Sequence, residues 1–120
     1  MTKKAILKLS NVQLNEKVDE ILGVAGSKDV PKLDSPASNI YAAWDLFESV
    51  YGRGGKIKGG SWVLSTVDGG RDVASAALFW KAKSSDKNRV NKVQVIRPRG
   101  EMAKAITQAW VCAMLGVSDV

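Results

Sequence analysis

Three strand-like stretches in the middle of the chain constrain its fold more than any other feature. The period-two pattern of β-strands runs through Ser61–Val67, Val73–Lys83 and Val90–Arg97. Between the first two stretches stands Asp68-Gly69-Gly70-Arg71, which has the glycines that a tight hairpin turn requires. A second polar turn leads into the third stretch. The pattern therefore predicts a three-stranded antiparallel β-meander over about residues 61–97.

Three helix-like stretches flank the predicted sheet. Apolar residues recur at three- and four-residue spacing within 14–25, 40–51 and 102–117, and polar residues fall between them. Ser10-Asn11 supplies capping groups for the first helix, and Ser35-Pro36 does so for the second. We therefore predict two helices before the meander and one after it.

A further short apolar run, Ala5–Leu9, allows an extra N-terminal strand. The predicted fold class is α+β, with the three-stranded antiparallel meander packed against two N-terminal helices and one C-terminal helix. At 120 residues, of which 45% are hydrophobic and 25% charged, the chain fits one folded domain that spans residues 1–120.

The residue types that most enzyme sites require are scarce in this sequence. The chain has no histidine and one cysteine, Cys112, which excludes a Ser-His-Asp triad, a Cys-His pair and the common zinc sites. We expect Cys112 to be a small buried side chain, because it lies in the apolar pattern of the last helix. Two carboxylate pairs, Asp68 with Asp72 and Asp45 with Glu48, occupy a turn and a helix surface, where such residues usually have no chemical role. The sequence therefore predicts a protein that is not an enzyme and that uses neither a metal nor a cofactor.

The sequence also allows a prediction of the cellular compartment of the protein. No apolar run is long enough for a membrane-spanning helix, and the N-terminal residues lack the apolar stretch of a signal peptide. One cysteine excludes an internal disulfide, which fits a reducing compartment. We therefore expect a cytoplasmic protein with no membrane partner, or a virion component if it is a phage structural protein.

Positive charge is concentrated in one part of the chain. Residues 53–99 carry eleven Lys/Arg and three Asp, a net charge of +8, whereas the remainder carries seven basic and nine acidic residues, a net charge of −2. A basic block within an otherwise slightly acidic domain is typical of proteins that bind a polyanion. The sequence therefore favours nucleic acid as the partner.

Side-chain alternation sorts the predicted strands into two faces. If the apolar face packs against the helices, the other face, which we call the basic face, carries cations, an amide and one aromatic ring. Lysines there can neutralise phosphates and the ring can stack a base, which suits single-stranded nucleic acid. Exposed sheet faces are also often lysine-rich for solubility alone, and that alternative stays open. The apolar set is Leu78, Trp80, Val93 and Val95, and the basic face holds Phe79, Lys81, Lys83, Lys92 and Gln94.

Further cations flank the basic face. The segment Arg53–Gly60 combines four glycines with three cations, so it is either a mobile clamp for a ligand or a hinge between a helix and the sheet. Other cations lie in the loop before the third strand and at the end of that strand. The full set of predicted nucleic-acid-binding residues is Arg53, Lys56, Lys58, Phe79, Lys81, Lys83, Lys87, Arg89, Lys92, Gln94, Arg97 and Arg99.

The stretch Asn88-Arg89-Val90-Asn91-Lys92-Val93-Gln94-Val95 resembles a strand in the coat proteins of single-stranded RNA phages, whose sheet faces the packaged RNA. Those coats also end in helices packed on the sheet, to which residues 101–120 are similar. The resemblance covers one strand, and this chain lacks the further long strand that those coats place before their helices. A sheet backed by helices is also similar to compact single-stranded DNA-binding modules. Both resemblances imply a nucleic-acid partner.

We therefore predict a non-enzymatic protein that binds RNA or single-stranded DNA through the basic face and the glycine-rich loop. The alternative is a phage or viral structural protein, similar to a coat, or an inhibitor that acts through protein–protein assembly. The apolar stripe of 102–117 supports this alternative, because it needs a partner if the rest of the fold does not cover it. We expect a homo-oligomer, a dimer or larger, in either case.

Overall fold

The computed structural model describes residues 2–22, 35–44, 46, 58–66, 73–81, 90–98 and 100–119. These residues form helices and antiparallel strands, which confirms the α+β class. In chain order the elements are α1 (Lys3–Leu7), α2 (Asn11–Leu22), α3 (40–44 and 46), β1 (Lys58–Thr66), β2 (Val73–Lys81), β3 (Val90–Pro98) and α4 (Met102–Met114).

The first element is a helix, so the predicted extra N-terminal strand is wrong. Thr2 caps α1, because its hydroxyl oxygen accepts a hydrogen bond from the Ala5 amide at 3.2 Å. Ile6 is completely buried, and α1 packs against α4 rather than beside a strand. A segment with no neighbouring strand must satisfy its backbone groups internally, which a helix achieves and an isolated strand does not.

Ser10 caps α2, in agreement with the capping groups predicted at Ser10-Asn11, and it forms a capping box with Gln13. The Gln13 amide donates to Ser10 Oγ at 3.2 Å, and the Ser10 amide donates to Gln13 Oε1 at 3.0 Å. Leu14 and Val18, one turn apart, are completely buried in the core. The predicted helix is confirmed as far as Leu22, and the rest of the predicted stretch, residues 23–25, lies outside the described residues.

The start of α3 differs from the prediction. Ser35 has a left-handed backbone conformation, with φ of 50°, and residues 36–38 form a turn before the helix begins. Asn39 is the cap, because its Oδ1 accepts hydrogen bonds from the amides of Tyr41 at 3.0 Å and Ala42 at 3.4 Å. The predicted cap at Ser35 is therefore wrong, since the chain turns there before it becomes helical. The predicted end of this helix lies outside the described residues.

The strands pair antiparallel in the order β1-β2-β3. Leu78 in the central strand stands opposite Trp62 in β1 and opposite Val93 in β3. The segments between the strands, 67–72 and 82–89, lie outside the described residues. The three-stranded meander, which depends on those connections, stays a prediction.

Strand β1 begins earlier than the sequence predicts. It starts at Lys58, inside the glycine-rich segment that we predict as a loop, and its register is irregular between Lys58 and Ser61. The residues between them are Gly59 and Gly60, whose backbone freedom accommodates such an irregularity. Pairing with β2 therefore extends into the glycine-rich segment.

Helix α4 forms the centre of the core. Ala103 and every residue from Ala105 to Ala113 are buried, so the helix is covered around its whole circumference. It packs against β2 and β3 and also against α1 and α2. The polar Thr107 is buried as well, with its hydroxyl oxygen 2.8 Å from the carbonyl oxygens of Pro36 and Ala103. The apolar stripe of α4 therefore finds its partners within the chain.

The described helices differ in length, from five residues in α1 to thirteen in α4. None of the helices in the described part of the chain has both the length and the apolar character needed to cross a membrane.

Candidate nucleic-acid interface

Helix α4 packs against one face of the sheet. Four apolar residues on that face belong to the same cluster as α4 and have at most 1% of their surface exposed; they are Ala76, Leu78, Val93 and Val95. Lys92 and Gln94 alternate with the apolar residues of β3, so they lie on the opposite, basic face. The prediction that the apolar residues face the helices is therefore confirmed for Leu78, Val93 and Val95.

Strand register determines which positions of the basic face are neighbours. Lys92 stands opposite Phe79, and Gln94 stands opposite Ala77. Facing positions in an antiparallel pair have Cβ atoms about 4.5–5.5 Å apart. The register therefore brings a cation predicted to contact phosphate next to the aromatic position predicted to stack a base.

Two further lysine positions meet across the sheet. Lys81 of β2 stands opposite Lys58 of β1 and opposite Val90 of β3. The register therefore sets two positions of the predicted binding site at facing places on neighbouring strands.

The Gln94 side chain is anchored to the neighbouring strand. Its Nε2 donates to Ser75 Oγ at 3.0 Å, and Ser75 is completely buried. Ser75 and Ala77 of β2 are buried, whereas Ile96 of β3 on the same face is 63% exposed. The exposed part of the basic face therefore lies along β3, and the Gln94 amide has a fixed position beside it.

A short segment of chain lies along the outer edge of β3. Ser118 Oγ is 3.3 Å from the Lys92 amide nitrogen and 3.1 Å from the Lys92 carbonyl oxygen. The Asp119 amide donates to the same carbonyl at 2.7 Å, and the Gln94 amide donates to Asp119 Oδ2 at 2.9 Å. We call Ser118–Asp119 the edge segment. It satisfies backbone groups that an edge strand otherwise leaves unpaired.

The Asp119 carboxylate also forms an ion pair. Its Oδ1 lies 2.6 Å from Lys3 Nζ, and both side chains are partly exposed. Burial raises the pKa of Asp119, but hydrogen bonds from Lys3 and the Gln94 amide, with the charges of Lys3 and Lys92, outweigh it and hold the pKa below its ordinary value. Asp119 is therefore ionised at neutral pH, close to Lys92.

Arg97 lies on the face that α4 covers. It stands opposite Ala74, and its Nη2 is 2.9 Å from Glu101 Oε1 at the start of α4. The hydrogen bond from Arg97 lowers the pKa of Glu101, and the positive charges of Arg97 and Lys104 act in the same direction against partial burial. The structure therefore does not bring Arg97 together with Lys92 and Gln94, and a phosphate at Arg97 has to compete with Glu101.

The remaining predicted site residues fall into two groups. For Lys58, Phe79 and Lys81, the structure describes the backbone position alone. The others lie outside the described residues; they are Arg53, Lys56, Lys83, Lys87, Arg89 and Arg99.

Sequence patterns do not reveal the edge segment. Ser118 and Asp119 follow the last helix, and no period or motif links them to a strand some 25 residues earlier. Lys3 is much more distant in sequence, since its ion pair with Asp119 spans 116 positions. One acidic residue after a helix is too common a pattern to predict such contacts.

Cys112 is completely buried in α4, as the sequence predicts. Burial raises the pKa of its thiol to about 11, so the thiol stays protonated at neutral pH and is a poor nucleophile. Among the residues that the structure describes, no group of three or more His, Cys, Asp or Glu side chains is placed to hold a metal ion.

Comparison with protein-family models, with curated proteins and with solved structures found no match to this chain. Its function must therefore be inferred from the basic face, the edge segment and the distribution of charge.

Proposed function

We propose that this chain is a non-enzymatic nucleic-acid-binding protein whose ligand is RNA or single-stranded DNA. The basic face of a three-stranded antiparallel meander forms the binding surface, and the glycine-rich segment before β1 folds over the ligand as a clamp. Lysines neutralise phosphates, and Phe79 supplies a ring on which a base stacks. A single strand fits better than a duplex, because its unpaired bases can reach a sheet face and stack there.

One observation carries this proposal: α4 packs against the face opposite Lys92 and Gln94. Had α4 covered the basic face instead, no sheet surface would remain for a ligand. The strand register adds a second support, because it sets Lys92 beside Phe79. The net charge of +8 in residues 53–99 supplies the long-range attraction for a polyanion.

The proposed contacts divide by chemistry. Phe79 stacks a base, and Gln94, held in place by Ser75, contacts a base or a sugar. Arg97 is left out of the proposed contacts, because it lies on the face that α4 covers and pairs with Glu101. The clamp consists of Arg53 and Lys56, which precede β1, whereas Lys58 lies within β1 opposite Lys81. The phosphate contacts are Lys81, Lys83, Lys87, Arg89, Lys92 and Arg99.

Salt dependence of oligonucleotide binding tests this proposal. The measurement is fluorescence anisotropy with a labelled single strand of about 20 nucleotides, which is longer than a typical binding footprint. We expect log K to fall linearly with log salt concentration, with a slope of about −0.7 for each phosphate contacted. An absence of binding at about 50 mM salt, or an affinity that does not change up to about 200 mM, contradicts the proposal.

An assembly protein, similar to a coat or acting as an inhibitor, is the second candidate. It is favoured by α3, where Tyr41 is 81% exposed and Trp44, one turn later, is 49% exposed, beside the exposed Ile40. Exposed apolar side chains grouped on one helix suit a protein partner. The stripe of α4 no longer supports this candidate, because the chain itself covers it. Light scattering separates the two functions: a large closed assembly favours the second, and a monomer or dimer that binds oligonucleotides favours the first.

A further inference from the structure

The edge segment places a carboxylate in a site that is built for an anion. An ammonium group from Lys3 at 2.6 Å and a backbone amide from Gln94 at 2.9 Å both point at Asp119. The charge of Lys92 acts on the same carboxylate. Lysine side chains and backbone N–H groups are also the donors with which proteins hold nucleic-acid phosphates. The chemistry that holds Asp119 is therefore the chemistry that a phosphate requires.

The site lies at the edge of β3, next to the proposed binding surface. Lys92 and Gln94, two of the proposed nucleic-acid contacts, are also the two residues of β3 whose backbone groups bond to the edge segment. A strand of nucleic acid that reaches Lys92 therefore brings its phosphates close to the Asp119 carboxylate. Neighbouring negative charges repel each other, so the phosphate and the Asp119 carboxylate compete for the same positive charges.

The residue before the edge segment is held by the core, whereas the edge segment itself is held by polar contacts. The Val117 amide donates to the Cys112 carbonyl oxygen at 2.8 Å, and Val117 packs against the apolar core. Beyond it, the contacts of Ser118 and Asp119 are polar, and the Lys3–Asp119 side chains are 30% and 28% exposed. Partly exposed ion pairs contribute little free energy, and water can replace the hydrogen bonds of Ser118 and Asp119 to Lys92 and Gln94. Ser118–Asp119 can therefore leave β3 while the residues up to Val117 stay in place.

We propose that the edge segment is an autoinhibitory contact, in which Asp119 occupies the place of a nucleic-acid phosphate at the edge of β3 beside Lys92. Nucleic acid and the edge segment bind there in competition, so the full affinity of the basic face appears only when Asp119 has been displaced. This inference rests on the proposed function and adds its regulation.

Oligonucleotide affinity of two matched variants tests the inference. Asp119→Asn removes the competing charge, and its side-chain oxygen can still accept from the Gln94 amide. Glu16→Gln is the control, because it removes one negative charge from the exposed surface of α2. Anisotropy titrations with a labelled single-stranded oligo-dT measure both variants and the unchanged chain at one low salt concentration. We expect Asp119→Asn to bind about fivefold more tightly than Glu16→Gln.

The outcomes separate the inference from the proposed function. If the unchanged chain binds with a steep salt dependence but the two variants have equal affinities, the inference is wrong and the proposed function stands. If none of the three proteins binds oligo-dT or oligo-U, the proposed function fails and the inference fails with it. If Asp119→Asn binds and the other two do not, both are supported.

A measurement on the unchanged chain guards against a variant that folds poorly. The Asp119 amide, which donates to Lys92 O at 2.7 Å, should exchange its proton with solvent faster once the protein is saturated with oligo-dT. Exchange that stays equally slow in the complex overturns the inference, because the edge segment then remains on β3 while nucleic acid is bound.

Discussion

The two faces of the sheet differ in how much of their residues is exposed, most clearly along β3. Toward α4, the side chains of Leu78, Val93 and Val95 expose at most 1% of their surface. On the basic face, Ile96 of β3 exposes 63% of its surface, whereas Ser75 and Ala77 of β2 are buried. One strand therefore contributes stability through one set of alternating residues and, in our proposal, binding through the other. Substitutions on the two faces should affect different measurements.

The largest expected difference between the faces is in stability. Leu78→Ala removes a completely buried side chain and should lower the free energy of unfolding by about 2–5 kcal/mol. Ile96→Thr keeps a β-branched residue at an exposed position and should change it by no more than about 0.5 kcal/mol. Urea unfolding of both variants measures the difference. Equal losses from the two substitutions would contradict the division into a core face and a ligand face.

Sequence patterns predict the sheet faces because the required information is local. Alternation along β3 separates Val93 and Val95 from Lys92 and Gln94, and the structure places the apolar pair against α4. The first turn of α2 is predictable for the same reason, since Ser10 and Gln13 bond to each other within one helical turn.

Features that depend on distant residues are not predictable in this way. The apolar run at Ala5–Leu9 allows a strand, but contact with α4 makes its start a helix. The turn at Ser35 is tied to the core by the Pro36 carbonyl at Thr107, 71 positions away in sequence. The edge segment is the strongest case, because the partners of Asp119 come from α1 and β3. Sequence spacing carries no signal for such contacts.

A smaller effect is expected on the pH dependence of stability. The folded-state pKa of Asp119 is lowered, so its contribution is fully present above its unfolded pKa of about 3.9 and is lost as pH falls through the folded pKa. Replacing Asp119 by Asn should therefore lower the free energy of unfolding by less than about 1 kcal/mol at neutral pH, since the ion pair is partly exposed. The difference should shrink toward zero as the Asp119 carboxylate becomes protonated in acid.

Urea unfolding of Asp119→Asn and the unchanged chain at a series of pH values checks this. The Arg97–Glu101 pair is present in both proteins, so its own acid sensitivity cancels in the comparison. A stability difference that is the same at neutral and at acid pH would show that the carboxylate does not anchor the edge segment.

The most direct test of the basic face compares two lysines. Lys92→Gln removes a charge from the basic face and keeps the backbone groups that hold the edge segment, whereas Lys17→Gln removes a charge from α2, which packs against α4. For a single-stranded oligonucleotide, we expect Lys92→Gln to reduce the salt slope of log K by about 0.7 and Lys17→Gln to leave it unchanged. Equal slopes for both variants and the unchanged chain would contradict the claim that nucleic acid binds the face opposite α4.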